Sequence, residues 1–175
     1  VSKTDEKVKK VMNNATSTFG DAMAKGRTFE QDVCRVKLAN KESDWYNKLK
    51  DLFKKDFQKN LNEYTMFNDV QLYYMHNGKK KYFVADHIFV KFEANGNVED
   101  FVIIEDKLKE TTKLSQNQSE AFNCMNFTVR SNNKVSGDKT LTKGASITFS
   151  GGKSQIYKVF DSDMGDAIKD IKKLK

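Results

Sequence analysis

Proline is absent from this 175-residue chain, cysteine and histidine occur twice each, and tryptophan once. With no proline, and no Ser/Gly-rich stretch between its periodic segments, nothing in the chain resembles a tether, so it reads as one continuous domain over residues 1–175. That length buries a real core and is too short for two complete domains. Cys34 and Cys124 are too few for a disulfide framework in a chain with a core of its own, which points to a reducing compartment. With His76 and His87 they form no zinc-ligand spacing, and nothing singles out a Cys–His nucleophilic pair over two buried thiols. Long apolar runs are missing too. The opening "VSKTDEKVKK" is polar and the apolar stretches are strand-sized, so neither a signal peptide nor a membrane span is expected. The chain begins on valine, as a fragment of a longer protein or a trimmed product would.

Positive charge is in surplus. Lys and Arg number 31 against 24 Asp and Glu, a formal net charge of +7. A basic surface either simply keeps a protein soluble or meets a polyanion, nucleic acid or an anionic membrane surface. The lysines are scattered along the chain rather than run together, which argues against a basic disordered tail.

The first part of the chain has helical periodicity. In "GRTFEQDVCRVKLAN", Phe29, Val33 and Val36 fall at i, i+4 and i+7 and predict one buried stripe with Glu30 beside it. Trp45, Leu49, Leu52, Phe53, Phe57 and Leu61 predict a second amphipathic helix whose aromatic stripe is core. The period then changes. "DVQLYYMH", "KKYFVADHIFVKF" and "VEDFVIIEDK" are rich in β-branched and aromatic residues, and Asn77-Gly78 and Asn95-Gly96 between them are hairpin-turn signals, so an antiparallel meander of three strands is expected. "LSQNQSEAFNCM" predicts a helix capped by Ser115. A short strand "NFTVR", a loose polar segment to about Lys143, a hairpin "SITFSGGKSQIYKVF" and a last helix from about Ser162, with Met164, Ile168 and Ile171 inward, complete the expectation.

One apolar run, "FVII", ends in "EDK". Residues two apart share a strand face, so Glu105 points with Lys107 and Ile103, and Asp106 with Ile104 to the other side. One strand earlier Asp86 interrupts "YFVADHIFV", and a hairpin can set it beside Glu105. Asp100 is a poor alternative: it is five residues from Glu105 on the same strand, so it takes the opposite face, roughly 16 Å away at about 3.3 Å per residue. Two adjacent carboxylates that must both ionise repel, and a hard cation with oxygen ligands such as Mg²⁺ resolves the conflict. A neighbouring lysine can orient a water or stabilise charge growing on phosphorus. Asp86, Glu105 and Lys107 therefore suit metal-assisted phosphodiester hydrolysis. The same residues also read as a surface strand edge with an exposed ion pair at its end.

The succession "GRTFE", "VAD", "IIEDK", "LSQNQ" on helix, strand, strand and helix resembles the PD-(D/E)xK phosphodiesterase superfamily, over about residues 26–130. The E-x-K triplet alone is a weak signal; its place at the end of an apolar strand, with an upstream Asp and a following L-S-x-x-Q helix, makes the combination more specific. The resemblance implies an α/β (α+β) restriction-endonuclease-like core, a central mixed sheet flanked by helices in the order αβββαβ. Residues 1–25 would be a helical lead-in and 131–175 an added C-terminal hairpin and helix. It further implies Asp86, Glu105 and the main chain of Asp106 as ligands of Mg²⁺ or Mn²⁺. Glu30, Lys107 and Gln118 would complete the catalytic set, with Gln116 the nearby rival of Gln118. Ala85 stands where the superfamily's name-giving Pro would be.

A basic, proline-free domain with a helical lead-in is also similar to nuclease domains at the C-termini of bacterial secreted toxins. By that analogy it would be a Mg-dependent DNA endonuclease delivered within a larger toxin, active in the target-cell cytoplasm on double-stranded DNA, and neutralised by an acidic immunity protein. The alternatives are a cytoplasmic repair or restriction nuclease, an RNase toxin of the same fold, and a non-catalytic nucleic-acid-binding module.

Overall fold

The computed structural model describes residues 23–108, 110–148, 156–161 and 167–174. Residues 23–39 form helix α1, whose middle, Phe29–Cys34, winds as a π-helix. The wider turn rotates everything after it, and this corrects the expected stripe. Phe29, Val33, Cys34 and Leu38 are buried, while Val36 is 56% exposed. Asp44–Phe57 form α2, opened by the Ser43 hydroxyl, which accepts from the Tyr46 amide at 3.0 Å. It closes at Gln58 in a left-handed conformation (φ 58°), so Leu61 lies beyond it in a short 3₁₀ turn. Tyr46, Leu49 and Phe53 are its buried face.

The expected meander is present. β1 (Thr65–His76), β2 (Lys79–Phe92) and β3 (Val98–Lys107) pair antiparallel in sequence. Asn77 and Gly78 both have positive φ (50° and 74°), the tight turn that matches strand twist. The second connection is looser: Gly96 takes φ 89°, and the register slips between Lys91 and Phe92. Helix α3 (Gln116–Ala121) follows, then β4 (Asn126–Val129). The segment expected to be loose contains a small separate hairpin, β5 (Lys134–Ser136) with β6 (Lys139–Leu141).

The C-terminal part departs from expectation. β7 (Ser146–Thr148) pairs with β4, whereas β8 (Ile156–Asp161) pairs parallel with β3, so the predicted hairpin is instead two strands far apart in the sheet. The reason is burial. β7 buries only Ile147 and suits an edge, while β8 buries Ile156, Tyr157, Val159, Phe160 and Asp161 and needs a neighbour on each side. The predicted last helix is strand β9 (Ile168–Lys173), antiparallel to β8. A register shift at Phe160/Asp161 lets Ile168 and Ile171, three apart, both reach the core, and β9 supplies the hydrogen bonds that buried β8 lacks on its outer side. The lead-in over residues 1–22, the Gly151-Gly152 turn and Met164 lie outside the described residues.

The result is a mixed α+β fold around a seven-stranded mixed sheet, order β7-β4-β1-β2-β3-β8-β9, with β3–β8 its parallel pair. One face packs Val102, Ile104, Tyr157 and Val159 against α1 and α2. The other packs Leu72, Phe83 and Ile103 around Phe122 and Phe127. Phe127 of β4 meets both Phe83 (5.9 Å) and Phe101 of β3 (6.1 Å) edge to face, so the β4 side of the sheet curls over this second core.

Candidate active site

The pairing of β2 with β3 runs from Phe92↔Val98 to His87↔Ile104 and then stops. Beyond that point β2 continues with β1, while Glu105, Asp106 and Lys107 continue with Lys158, Val159 and Phe160 of β8. The sheet therefore forks at Asp86 and Glu105. In place of a ladder bond, the Asp86 carboxylate itself reaches across and accepts from the Asp106 amide at 2.8 Å.

Glu105 is 1% exposed. Its Oε2 accepts from the Gln118 side-chain amide at 2.7 Å, and its Oε1 has no hydrogen-bond donor among the described residues. Burial first, and then the charge of Asp86, push its pKa well above the usual carboxylate range, against the pull of Lys107. Facing another carboxylate with no donor between them, Glu105 either keeps a proton or requires a cation. Lys107 does not pair with it directly: its ammonium donates to Gln118 Oε1 at 3.0 Å, and the same oxygen accepts from the Ser115 amide at 3.0 Å. A buried glutamic acid tied through glutamine to a lysine is not an exposed strand-end ion pair, so that reading is overturned. Gln118, rather than Gln116, is the residue turned inward. Its placement follows from local sequence, since Ser115 and Gln118 close a reciprocal capping box at the start of α3.

The opposite face of the fork carries a second network. The Asp106 side chain points away from Glu105 and binds His87 Nε2, while His87 Nδ1 is 2.6 Å from Asn68 Oδ1. Burial works against the His87 charge, but the carboxylates of Asp106, Asp86 and Glu30 outweigh it and hold the imidazole pKa above its ordinary value. Burial raises Asp106 to about 6 despite that histidine. Cys34 lies against the same pair, fully buried, and burial pushes its thiol up, which makes it inert as a nucleophile. Cys124 is half-buried and free.

Glu30 enters this second face from the π-helical segment. Its Oε1 is 3.1 Å from Arg35, which also holds Asp69 at 2.7 Å. Burial and then Asp69 raise the Glu30 pKa to about 7. Asp69 sits in left-handed backbone (φ 53°) in the middle of β1, between the pairs Asn68↔His87 and Val70↔Ala85, and so directly across from Asp86. The structure thus brings Asp86, Glu105, Lys107 and Gln118 together at the fork, and links Glu30 through Arg35 to Asp69, which lies opposite Asp86 in register. Asp100, the rejected acid, is elsewhere, bound to Lys59 and Tyr64 at 2.6 Å each. His87, Asn68, Arg35 and Asp69 join the site without a local sequence signal. Register alone could have suggested His87, which shares a face with Asp106, but nothing in the sequence announces a left-handed aspartate inside a strand.

The donors that the resemblance implies for a hard cation are the carboxylates of Asp86 and Glu105, which lie near enough to repel one another, and the main-chain carbonyl of Asp106. Among the described residues, no three His, Cys, Asp or Glu side chains converge as a ready-made metal cage. Mg²⁺ fits such a sparse set, because it commonly takes one or two carboxylates and fills its remaining positions with water and substrate oxygens. The partnerless buried Oε1 of Glu105 is the observation in favour of that fit.

No protein-family model, no curated protein and no solved structure matches the chain. The class that can be stated is therefore structural: a mixed α+β domain with a forked seven-stranded sheet, carrying buried acids where the fork opens.

Proposed function

We propose that this chain is a metal-dependent nuclease of PD-(D/E)xK type, hydrolysing phosphodiester bonds in DNA. The observation that carries the reading is Glu105: fully buried, short of one hydrogen bond, set beside Asp86, with Lys107 held next to both by Gln118. Asp86, Glu105 and the Asp106 carbonyl would hold Mg²⁺ or Mn²⁺, which would supply Lewis acidity toward phosphate and the positive charge that lets both carboxylates ionise. The chain's own residues divide the remaining work. Lys107 presents a cation to charge growing on the phosphate, and Gln118 fixes its position while also holding Glu105. Glu30, neutral over much of the acid range because of its raised pKa, shapes the far side of the fork through Arg35 and Asp69.

The net charge of +7 favours a polyanionic substrate, and we extend the proposal to a role as an antibacterial toxin effector held in check by an acidic inhibitor. The test is incubation of the purified protein with plasmid DNA and with total RNA, each in Mg²⁺ and in EDTA, beside Glu105→Gln. Cleavage of the plasmid in Mg²⁺ alone, lost in the variant, is expected. Cleavage confined to RNA would move the assignment to an RNase, and binding without cleavage to a non-catalytic module. Expression inside bacteria should arrest growth in a manner that Glu105→Gln abolishes; toxicity surviving that change would sink the effector role.

A further inference from the structure

Among the described residues, the half of the β1–β2 ribbon beyond the fork is covered on one side only. Leu72, Tyr74, Phe83 and Ala85 face the second core, while the pairs Met75↔Lys80, Tyr73↔Tyr82 and Gln71↔Val84 face outward. Met75, Tyr82 and Val84 are exposed there. This face is a built arrangement of cations and rings. The Arg130 guanidinium lies 4.0 Å from the Tyr82 ring centre and 5.8 Å from that of Tyr73, and the Lys80 ammonium lies 4.1 Å from the Tyr73 ring centre. Arg130 is anchored by its amide on the Gln71 carbonyl (2.8 Å) and by its guanidinium on the Gln71 side chain.

A groove of about 510 Å³ runs from this stack along Gln71, Arg130, Lys134 and Lys143 and ends at Asp69, the residue across from Asp86. Among the described residues, Arg130, Lys134 and Lys143 enter no ion pair; the groove's acid, Asp69, is paired with Arg35, and the nearby Lys134 also helps to hold its carboxyl below the ordinary value. Positive charge thus lines a path from Tyr73, beside the exposed Tyr82, to Asp69 on the Glu30 face of the fork.

We infer that this face holds an unpaired strand of DNA leading to the Glu30 side of the fork, its phosphates along Arg130, Lys134 and Lys143 and a base stacked on the Tyr82–Arg130–Tyr73 platform. The inference rests on the nuclease reading for the meaning of the fork, and it makes DNA with a single-stranded portion the preferred substrate over intact duplex. Charge complementarity selects a polyanion, and the rings select one with free π-faces. A duplex keeps its bases stacked on one another and would use the lysines but not the tyrosines.

The experiment is fluorescence anisotropy in EDTA, where nothing is cut, with an end-labelled DNA strand of about 20 nucleotides, long enough to cover one site. The same strand annealed to its complement, and an RNA strand of the same sequence, are the comparison probes. The parent should bind the single DNA strand at least about fivefold tighter than the duplex, and Tyr82→Ala should cost the single strand about 5–150-fold while leaving the duplex unchanged. Tyr82→Phe, which keeps the ring, should bind as the parent does and so exclude a folding defect. Lys134→Glu with Lys143→Glu should weaken both probes and flatten the salt dependence, by about 0.7 in log–log slope per lost phosphate contact on a single strand.

Equal affinity for strand and duplex, an unaffected Tyr82→Ala, or tight binding of RNA with none of DNA would each overturn the inference. Failure of the nuclease reading shows separately, as absence of cleavage in Mg²⁺, and leaves these affinities as they are.

Discussion

Glu105 gives one oxygen to Gln118 and leaves the other without a donor, behind a wall that exposes 1% of the residue. An unsatisfied buried acceptor of this kind costs about 1–3 kcal/mol, and more when charged. Glu105→Gln can replace the repulsive contact with Asp86 by an amide donor, keep an oxygen for Gln118, and remove the buried charge. In metal-free buffer at pH 8 it should therefore be more stable than the parent by about 1–3 kcal/mol, read from urea unfolding, while its cleavage falls below detection. A destabilised Glu105→Gln would mean that the carboxylate is satisfied by something other than a cation. Lys107→Ala should separate differently. Its partner is Gln118 rather than an acid, so calorimetric titration should show Mg²⁺ or Mn²⁺ affinity close to that of the parent, with turnover lower by about 10²–10³-fold. Loss of metal affinity to the same degree would make Lys107 structural.

Elements decide how much of this was visible beforehand. The meander and the Ser115-capped helix were legible because period-2 patterning, Asn77-Gly78 and an N-cap are local signals, and they suffice to place Asp86, Glu105, Lys107 and Gln118 on neighbouring elements. The π-helical turn was not legible. One extra residue per turn leaves composition unchanged while moving Val36 to solvent and Leu38 to the core, and it is the turn that carries Glu30. The last strand is not legible in the sequence because Ile168 and Ile171 have helical spacing, and only the need of β8 for an outer neighbour, a tertiary demand, makes that segment a strand. α3 is where local and tertiary roles coincide, since Gln118 closes the capping box with the same side chain that bridges Lys107 and Glu105. Ser115→Ala should accordingly cost about 0.5–2 kcal/mol in stability and, unlike an ordinary cap, also lower cleavage by about 10–100-fold, as loss of a supporting partner does. Ser115→Asp, which restores the acceptor, should recover both. A stability loss with unchanged cleavage would show that Gln118 holds its position without the box.

Across the whole molecule the fork stores protons. Burial and neighbouring carboxylates raise Glu105 well above its ordinary value and Glu30 to about 7, burial raises Asp106 to about 6, and the surrounding carboxylates hold His87 above its own ordinary value despite burial. In the unfolded chain these groups titrate near about 4 for the acids and about 6.5 for histidine. The folded state therefore binds more protons than the unfolded state from about pH 4 through neutrality, and the sign follows: stability from these groups is fullest below the unfolded values and is lost as pH rises through the folded ones. The acids held below their ordinary values act in the opposite sense: Asp69 with its Glu30 and Arg35 hydrogen bonds outweighing burial, Asp170 with its Lys48 bond doing the same, and Glu120 through its Lys81 bond. Their contribution is lost only as pH falls below about 4, outside the window. In EDTA the melting temperature should thus fall between pH 5.5 and 8, by about 2–4 °C for each kcal/mol lost in a chain of this size, and fall less steeply in Glu105→Gln. Mg²⁺ should flatten the same profile, because a cation at the fork supplies the positive charge that the departing protons withdraw and is bound only by the folded state. A melting temperature that rises over this range in EDTA, or a slope identical in parent and variant, would place the proton store elsewhere; a profile that Mg²⁺ leaves untouched at pH 8 would remove the cation from the fork.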